Sequence, residues 1–335
     1  MPIRIRPSTV ATGAVRASGA PPGRSRPARR LLALALTAAL VTPLGAAPSA
    51  AEPAPLVCAG VPAPGGVLDE QVVSDRRVRG GIVVPEGGSC RLHRVTVEGD
   101  VRVDPQGWLM VERSAVLGSV HVRGSMAVSR ATFHGDVHVD APDLPRVWAA
   151  YLEGGSATFL GRVHGRGAVD LYGVHVVGSF NVTAVALDMR LEDSRFDGWV
   201  NVPAAPGIGV GIRWSDLRSG LTIKRGTGHD VCGTDVAGDL VLRDVRGYVA
   251  VGAFPAGHGS CPAWGSVGPP PGHPRAGEDP PEQMRTTVGG TLRVVGDGTD
   301  LHLHHVHVAG DLLCPDRGVT AGLVTAGGTR TGGCR

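Results

Sequence analysis

Val95-Thr96-Val97-Glu98-Gly99-Asp100-Val101-Arg102-Val103 is answered by Ser114-Ala115-Val116-Leu117-Gly118-Ser119-Val120-His121-Val122, and again by Ala131-Thr132-Phe133-His134-Gly135-Asp136-Val137-His138-Val139. The pattern is a small or apolar residue, a variable one, an apolar one, a second variable one, then glycine, Asp or Ser, and an apolar-variable-apolar triplet. It recurs at 157–165, 174–182, 194–202, 215–223 (with Ser219 in the glycine slot), 234–242, around Gly290 and at 306–314. The markers 99, 118, 135, 161, 178, 198, 219 and 238 lie 17 to 26 residues apart, near the period of strand-containing solenoids.

Between markers runs a second apolar stretch, such as Trp108–Val111, Ala168–Leu171, Leu187–Leu191 or Tyr248–Val251. Each unit therefore holds at least two strands of period 2, joined at a glycine corner whose missing Cβ frees the backbone. One unit cannot bury its own Val, Leu and Phe, but units stacked about 4.8 Å apart pair every strand and align like side chains. The expected fold is all-β: a single-stranded parallel β-helix (β-solenoid) with turns of about 17–26 residues, braced by disulfides. A β-sandwich would not repeat one nine-residue signature at nearly constant phase.

Composition agrees. Aromatic residues make up 4% of the 335 residues, while Gly reaches 51 and Pro 26, which suits many short strands better than a few large core elements. Residues 1–51 read as a secretory signal peptide, with seven arginines and no acid, an apolar stretch Leu31–Ala47, and Ser49 and Ala51 at the small-residue positions of a cleavage site. That stretch is too short and broken for a comfortable membrane span. The sequence places a Pro/Ala-rich lead-in and N-terminal cap at 52–79 and the solenoid at 80–335. A Pro/Gly-rich loop is inserted at about 252–282, and a C-terminal cap at about 315–335 covers the last strand edge.

Seven of the 33 basic residues lie within 1–51, so processing leaves 26 basic against 30 acidic residues, a net charge of about −4. That excludes the basic surface a nucleic-acid binder needs. Six cysteines, Cys58, Cys90, Cys232, Cys261, Cys314 and Cys334, form no Cys-x-x-Cys pair and read as disulfides of an exported chain. Fifteen pairings are possible. A stack that keeps sequence neighbours close favours 58–90, 232–261 and 314–334.

The Gly-Asp-Val-x-Val corners resemble those of bactofilins, polymer-forming bacterial proteins, and those of exported actinobacterial β-helix proteins of unknown function. The resemblance spans roughly residues 80–314 and implies a parallel β-helix.

Three groups of residues are candidates for chemistry. In the repeat alignment Arg102, His121, His138, His164, Asn181, Asn201 and Thr222 share one outward column, so His121, His138 and His164 fall within metal-ligand reach on successive turns. A second tract contains His302, His304, His305 and His307; on an alternating strand the first two share one face and the last two the other. An acidic band, Asp170, Asp188, Arg213 and Asp216, with Arg190, Arg195, Lys224 and Asp235 nearby, is the place for a carbohydrate-active site. There Arg195, Asp216 and Asp235 share a column and read as a stacked ion pair. Polygalacturonase signatures, a Gly-x-Ser-x-Gly elbow and a phosphate loop are missing as sets.

The function expected is that of a non-enzymatic extracellular solenoid with a structural or surface-binding role, facing a cell-surface polysaccharide or further copies of itself. It has no catalytic residues, no cofactor, no nucleic-acid partner and no membrane span in the mature chain. The alternative is a carbohydrate-active β-helix enzyme, a polysaccharide lyase or hydrolase.

Overall fold

The computed structural model describes residues 53–60, 70–140, 150–252 and 285–335. They form a parallel β-solenoid of about 12 turns with about 19 residues per turn. Each turn has three sides where the sequence pattern required at least two strands, although Val163–Tyr172, Thr299–Val308 and Val319–Ala326 each run along two sides as one strand. Val101–Val103, Trp108–Glu112 and Ala115–Val116 make one turn and define its first, second and third sides. On each side the next turn pairs in parallel register: Val101 with Val120, Leu109 with Met126, Val116 with Phe133.

The period-2 alternation decides what is inside. Val101, Val103, Leu109, Val111 and Val116 are fully buried, whereas Arg102 between the first two is exposed. Repeating this choice turn after turn builds one continuous core in which like side chains meet. Phe133 and Phe159 stack with ring centroids 5.0 Å apart and planes 9° from parallel. Each buried Val, Leu or Phe contributes roughly 1.5–3 kcal/mol relative to exposure, so the stack is held by many equal increments rather than by one dense centre.

The marker glycines do a different job from the one expected. None of Gly99, Gly118, Gly135, Gly161 or Gly178 has a positive φ. They are glycine because the turns touch there: a Cβ on Gly135 would lie 2.4 Å from the carbonyl oxygen of Gly118, and one on Gly178 would lie 2.3 Å from that of Gly161. The left-handed backbone sits instead at the corner between the second and third sides. Non-glycine residues fill that position in most turns, including Arg94 (φ 53°), Arg113 (φ 49°), Arg130 (φ 51°), Asp193 (φ 48°) and Trp214 (φ 47°).

Two polar ladders tie the turns together. The Asp after the marker glycine accepts from the backbone N–H one turn further on: Asp100 from Ser119 at 2.8 Å, Asp136 from Arg162 at 2.8 Å, Asp239 from Thr291 at 2.7 Å and Asp311 from Thr329 at 2.7 Å. Each bond is a staple between turns. At the start of the third side, buried Ser114, Ser194, Ser215 and Thr234 donate to carbonyls two residues back, at 2.6–3.0 Å. This satisfies buried hydroxyls that would otherwise destabilise the core.

The ladder already begins inside the segment read as a lead-in. Leu56–Val57 pairs with Ile82–Val83, Gln71–Ser74 with Cys90–His93, and Arg77–Val78 with Thr96–Val97. At the other end the presumed cap is a further turn: Val319–Ala326 pairs along Thr299–Val308, and Arg330–Thr331 along Leu312–Leu313. Register places Arg330 in the inward slot below Leu312, and its Nη2 donates to the Val324 carbonyl at 2.8 Å. A charge in an inward slot suits only a terminal turn.

Cys58–Cys90 and Cys314–Cys334 are disulfides with Cα atoms 5.6 and 5.8 Å apart, and they brace these two ends. Cys232 is also disulfide-bonded. Its expected partner Cys261, the segment 1–51 read as a signal peptide and the segment 253–282 read as an inserted loop lie outside the described residues. On either side of that insertion the stack keeps register, with Val236 opposite Val288 and Leu240 opposite Leu292. Among the described residues no helix is long and apolar enough to cross a membrane.

Candidate functional site

The outward column of the first side falls in the register that the repeat dictates. His121 stands opposite Arg102 and His138, His138 opposite His164, and His164 opposite Asn181. Ring centroids are 5.8 Å apart for His121–His138 and 4.8 Å for His138–His164. Burial, with a smaller push from His138, holds the His164 imidazole below the usual histidine range. Its Nδ1 is shielded from solvent and has no hydrogen-bond partner. Among the described residues no three His, Cys, Asp or Glu side chains close into a ready-made metal cage, so the three-ligand arrangement read from the alignment is not preformed.

The second histidine tract is divided by a corner. His305 has φ 56°, so the strand alternation stops there. His302 and His304 face outward on the second side, and His302 packs on Tyr248 with centroids 4.8 Å apart. His307 lies on the third side opposite Thr287 and Thr325, its Nδ1 2.7 Å from the Thr325 hydroxyl. His305 and His307 therefore do not share a strand face.

The acidic band is only partly one surface. Asp170, Asp188 and Arg213 belong to the second side, whereas Asp216 lies around the corner on the third. There Arg195, Asp216 and Asp235 do share a column, but the pairs differ from those expected. Arg195 bonds Asp197 at 2.9 Å, which also takes His175 at 2.7 Å, and Asp216 is met by Arg218 at 3.3 Å. Hydrogen bonds from His175 and then Arg195 pull the Asp197 carboxyl below its ordinary range.

What the structure adds on the second side is a floor of glycine. In Gly209-Val210-Gly211-Ile212-Arg213 the aliphatic residues point inward and the glycines take the outward positions. The Asp188 carboxylate comes over this rung from the preceding turn, its Oδ1 accepting from Gly209 N–H at 2.7 Å. Asp230 comes from the following turn, opposite Gly211. Arg213 joins the turns by holding Asp230 through Nε at 2.6 Å and Nη2 at 3.3 Å, and Glu192 through Nη1 at 3.1 Å.

Burial pushes the Asp230 carboxyl up, and the bidentate Arg213 guanidinium opposes that push. Burial likewise acts to lower the Arg213 pKa, but Asp230 and Glu192 outweigh it. Further along the same side, Tyr151 is pushed up to about 12, by burial first and then by Glu153. It stays a neutral donor. Tyr172 is 52% exposed.

Gly211 is the informative residue. Its φ is not positive, and the nearest atom to an added Cβ would be the Asp230 Oδ1 at 3.3 Å, the end of a side chain. No positive φ requires glycine there, and what a Cβ would crowd is a side chain of the next turn, whereas at the marker positions it is backbone. Sequence reading passed over this floor and over the Glu192–Arg213–Asp230 bridge. The available signal was the alternation Gly207-Ile208-Gly209-Val210-Gly211-Ile212, in which glycine takes every second position.

Compared with known protein families, curated proteins and solved structures, the chain matches none.

Proposed function

We propose that this protein is an exported, non-catalytic solenoid that binds a hydroxyl-rich polysaccharide along its second side. The observation that carries the reading is the mixed polar column of the second side, where buried Gly209 and Gly211 form a floor on which the Asp188 and Asp230 carboxylates lie. Around it stand donors and acceptors, Asp170, Asp188, Arg190 and Glu192, with the exposed ring of Tyr172 two turns away. Such a face offers hydrogen bonds to hydroxyls and a stacking surface to a sugar ring. Four carboxylates against two guanidiniums favour a neutral polymer over an anionic one.

Binding is favoured over turnover by how the carboxylates are used. Asp230 is held at both oxygens by Arg213, and Asp188 by the Gly209 N–H. A hydrolase needs one carboxyl free to give a proton and a second free to act as base or nucleophile. The disulfides are compatible with an extracellular location.

The test is retention of the full chain on immobilised neutral and anionic polysaccharides, with product analysis of the same incubations. Retention on a neutral polymer without chain shortening is expected. Retention on none, or accumulation of shortened products, would overturn the proposal.

A further inference from the structure

The first side carries a separate feature, unrelated to the glycine floor. His138 and His164 sit on adjacent turns at matched positions, with ring centroids 4.8 Å apart and planes inclined at 60°. In a parallel ladder two like side chains leave the sheet together, so both imidazoles reach the same depth above it. The ends of the column are committed elsewhere. Arg102 turns to Asp104, with Nε at 3.1 Å from Oδ1, and Asn181 accepts from Asn201 at 2.6 Å. No cation in the column is turned onto the pair. His164 Nδ1 is shielded from solvent, and the Arg162 backbone and the Asp136–Arg162 ion pair stand beside its ring.

We propose that His138 and His164 form a two-imidazole chelate for a divalent transition ion, Zn²⁺ or Cu²⁺, with water completing its coordination. Imidazole nitrogen is a preferred ligand of both ions, and Cu²⁺ stands above Zn²⁺ in the general affinity order. His121, a further turn away with its ring centroid 5.8 Å from that of His138, is a neighbour of the chelate and not a member. Two ligands pre-aligned by backbone pairing lose little freedom on binding, which is what makes a rung pair better than two histidines on a loose chain.

The experiment is calorimetric titration of the full chain with zinc chloride and with copper chloride, beside His138→Gln, His164→Gln and His121→Gln. All three residues face outward, so metal-free melting curves should coincide, and circular dichroism checks that they do. The expected result is loss of one bound equivalent, or at least a tenfold weaker site, in His138→Gln and in His164→Gln. His121→Gln should change affinity less than threefold, and copper should bind more tightly than zinc. Nitrogen hyperfine structure in the copper electron paramagnetic resonance spectrum should report two imidazoles, falling to one in either variant. Unchanged stoichiometry and affinity in His138→Gln and His164→Gln would overturn the proposal and would assign any wild-type binding to the His302–His307 tract. Loss in His121→Gln equal to that in the other two would overturn the two-ligand assignment.

Discussion

The first and second sides of this solenoid are built from the same repeat and treat their outward residues differently. On the first side His follows His and Asn follows Asn at matched positions, so neighbouring turns repeat one another. On the second side the outward column runs Glu153, Asp170, Arg190, Gly211, Asp230, changing charge and size at nearly every step. A repeat explains regularity for free. Departures from it that the packing does not demand are where a requirement other than folding has acted, and Gly211 is the clearest of them.

The comparison depends on the register, which is where the largest effect is expected. Val137 is buried and His138 beside it is outward. Val137→Asp places a charge in the packed ladder and should cost about 4 kcal/mol or more, while His138→Asp should leave the melting curve nearly unchanged. Equal melting of the two would mean that inward and outward are exchanged.

Next in size is the Cys314–Cys334 disulfide, which closes a loop of 20 residues and holds the final turn. Its removal by paired Ser substitution should cost on the order of 3 kcal/mol. Hydrogen exchange should quicken first in Val319–Ala326, whose outer edge has no strand partner among the described residues.

A smaller effect separates the two kinds of glycine. Gly178→Ala forces a Cβ to within 2.3 Å of the neighbouring backbone and should destabilise by roughly 1–3 kcal/mol. Gly211→Ala meets only the Asp230 carboxylate, at 3.3 Å and not backbone, and should cost less than Gly178→Ala. Equal costs would remove the reason for treating Gly211 as functional.

Acidification gives the smallest change. Burial lowers the pKa of His229, whose Nε2 lies 2.7 Å from the Arg225 carbonyl oxygen inside the core. A base with a depressed folded pKa leaves stability intact above the unfolded value near 6.5 and loses it as pH falls from there through the folded pKa. The fall should therefore begin below about pH 6.5 and be absent in His229→Leu. At lower pH the Asp136–Arg162 pair adds to it. The Asp136 carboxyl is depressed, first by the Arg162 side chain, so its contribution is present above the ordinary Asp pKa and disappears as pH passes below the folded one.

Much of this architecture was legible in the residues. The nine-residue signature fixed the phase of the turns, and phase alone put His121, His138 and His164 in one column and Arg195, Asp216 and Asp235 in another. Adjacency in a stack was enough for Cys58–Cys90 and Cys314–Cys334. What escaped were features that depend on three dimensions at a corner. A tight inter-turn contact and a left-handed φ both suggest glycine on paper, yet here the first takes Gly135 and the second takes Arg113 or Trp214. The third strand of each turn is only two residues long in most turns, too short for periodicity to register. The bridge from Glu192 through Arg213 to Asp230 joins residues about one turn apart, whose side-chain directions no spacing rule supplies.

The most direct test of the central claim is the affinity of the full chain for its retained neutral polysaccharide, measured beside Gly211→Leu. The variant fills the floor with a side chain in an outward position. At least a tenfold weaker affinity in a variant that circular dichroism shows to be folded is the predicted result; full affinity in a folded Gly211→Leu would contradict it.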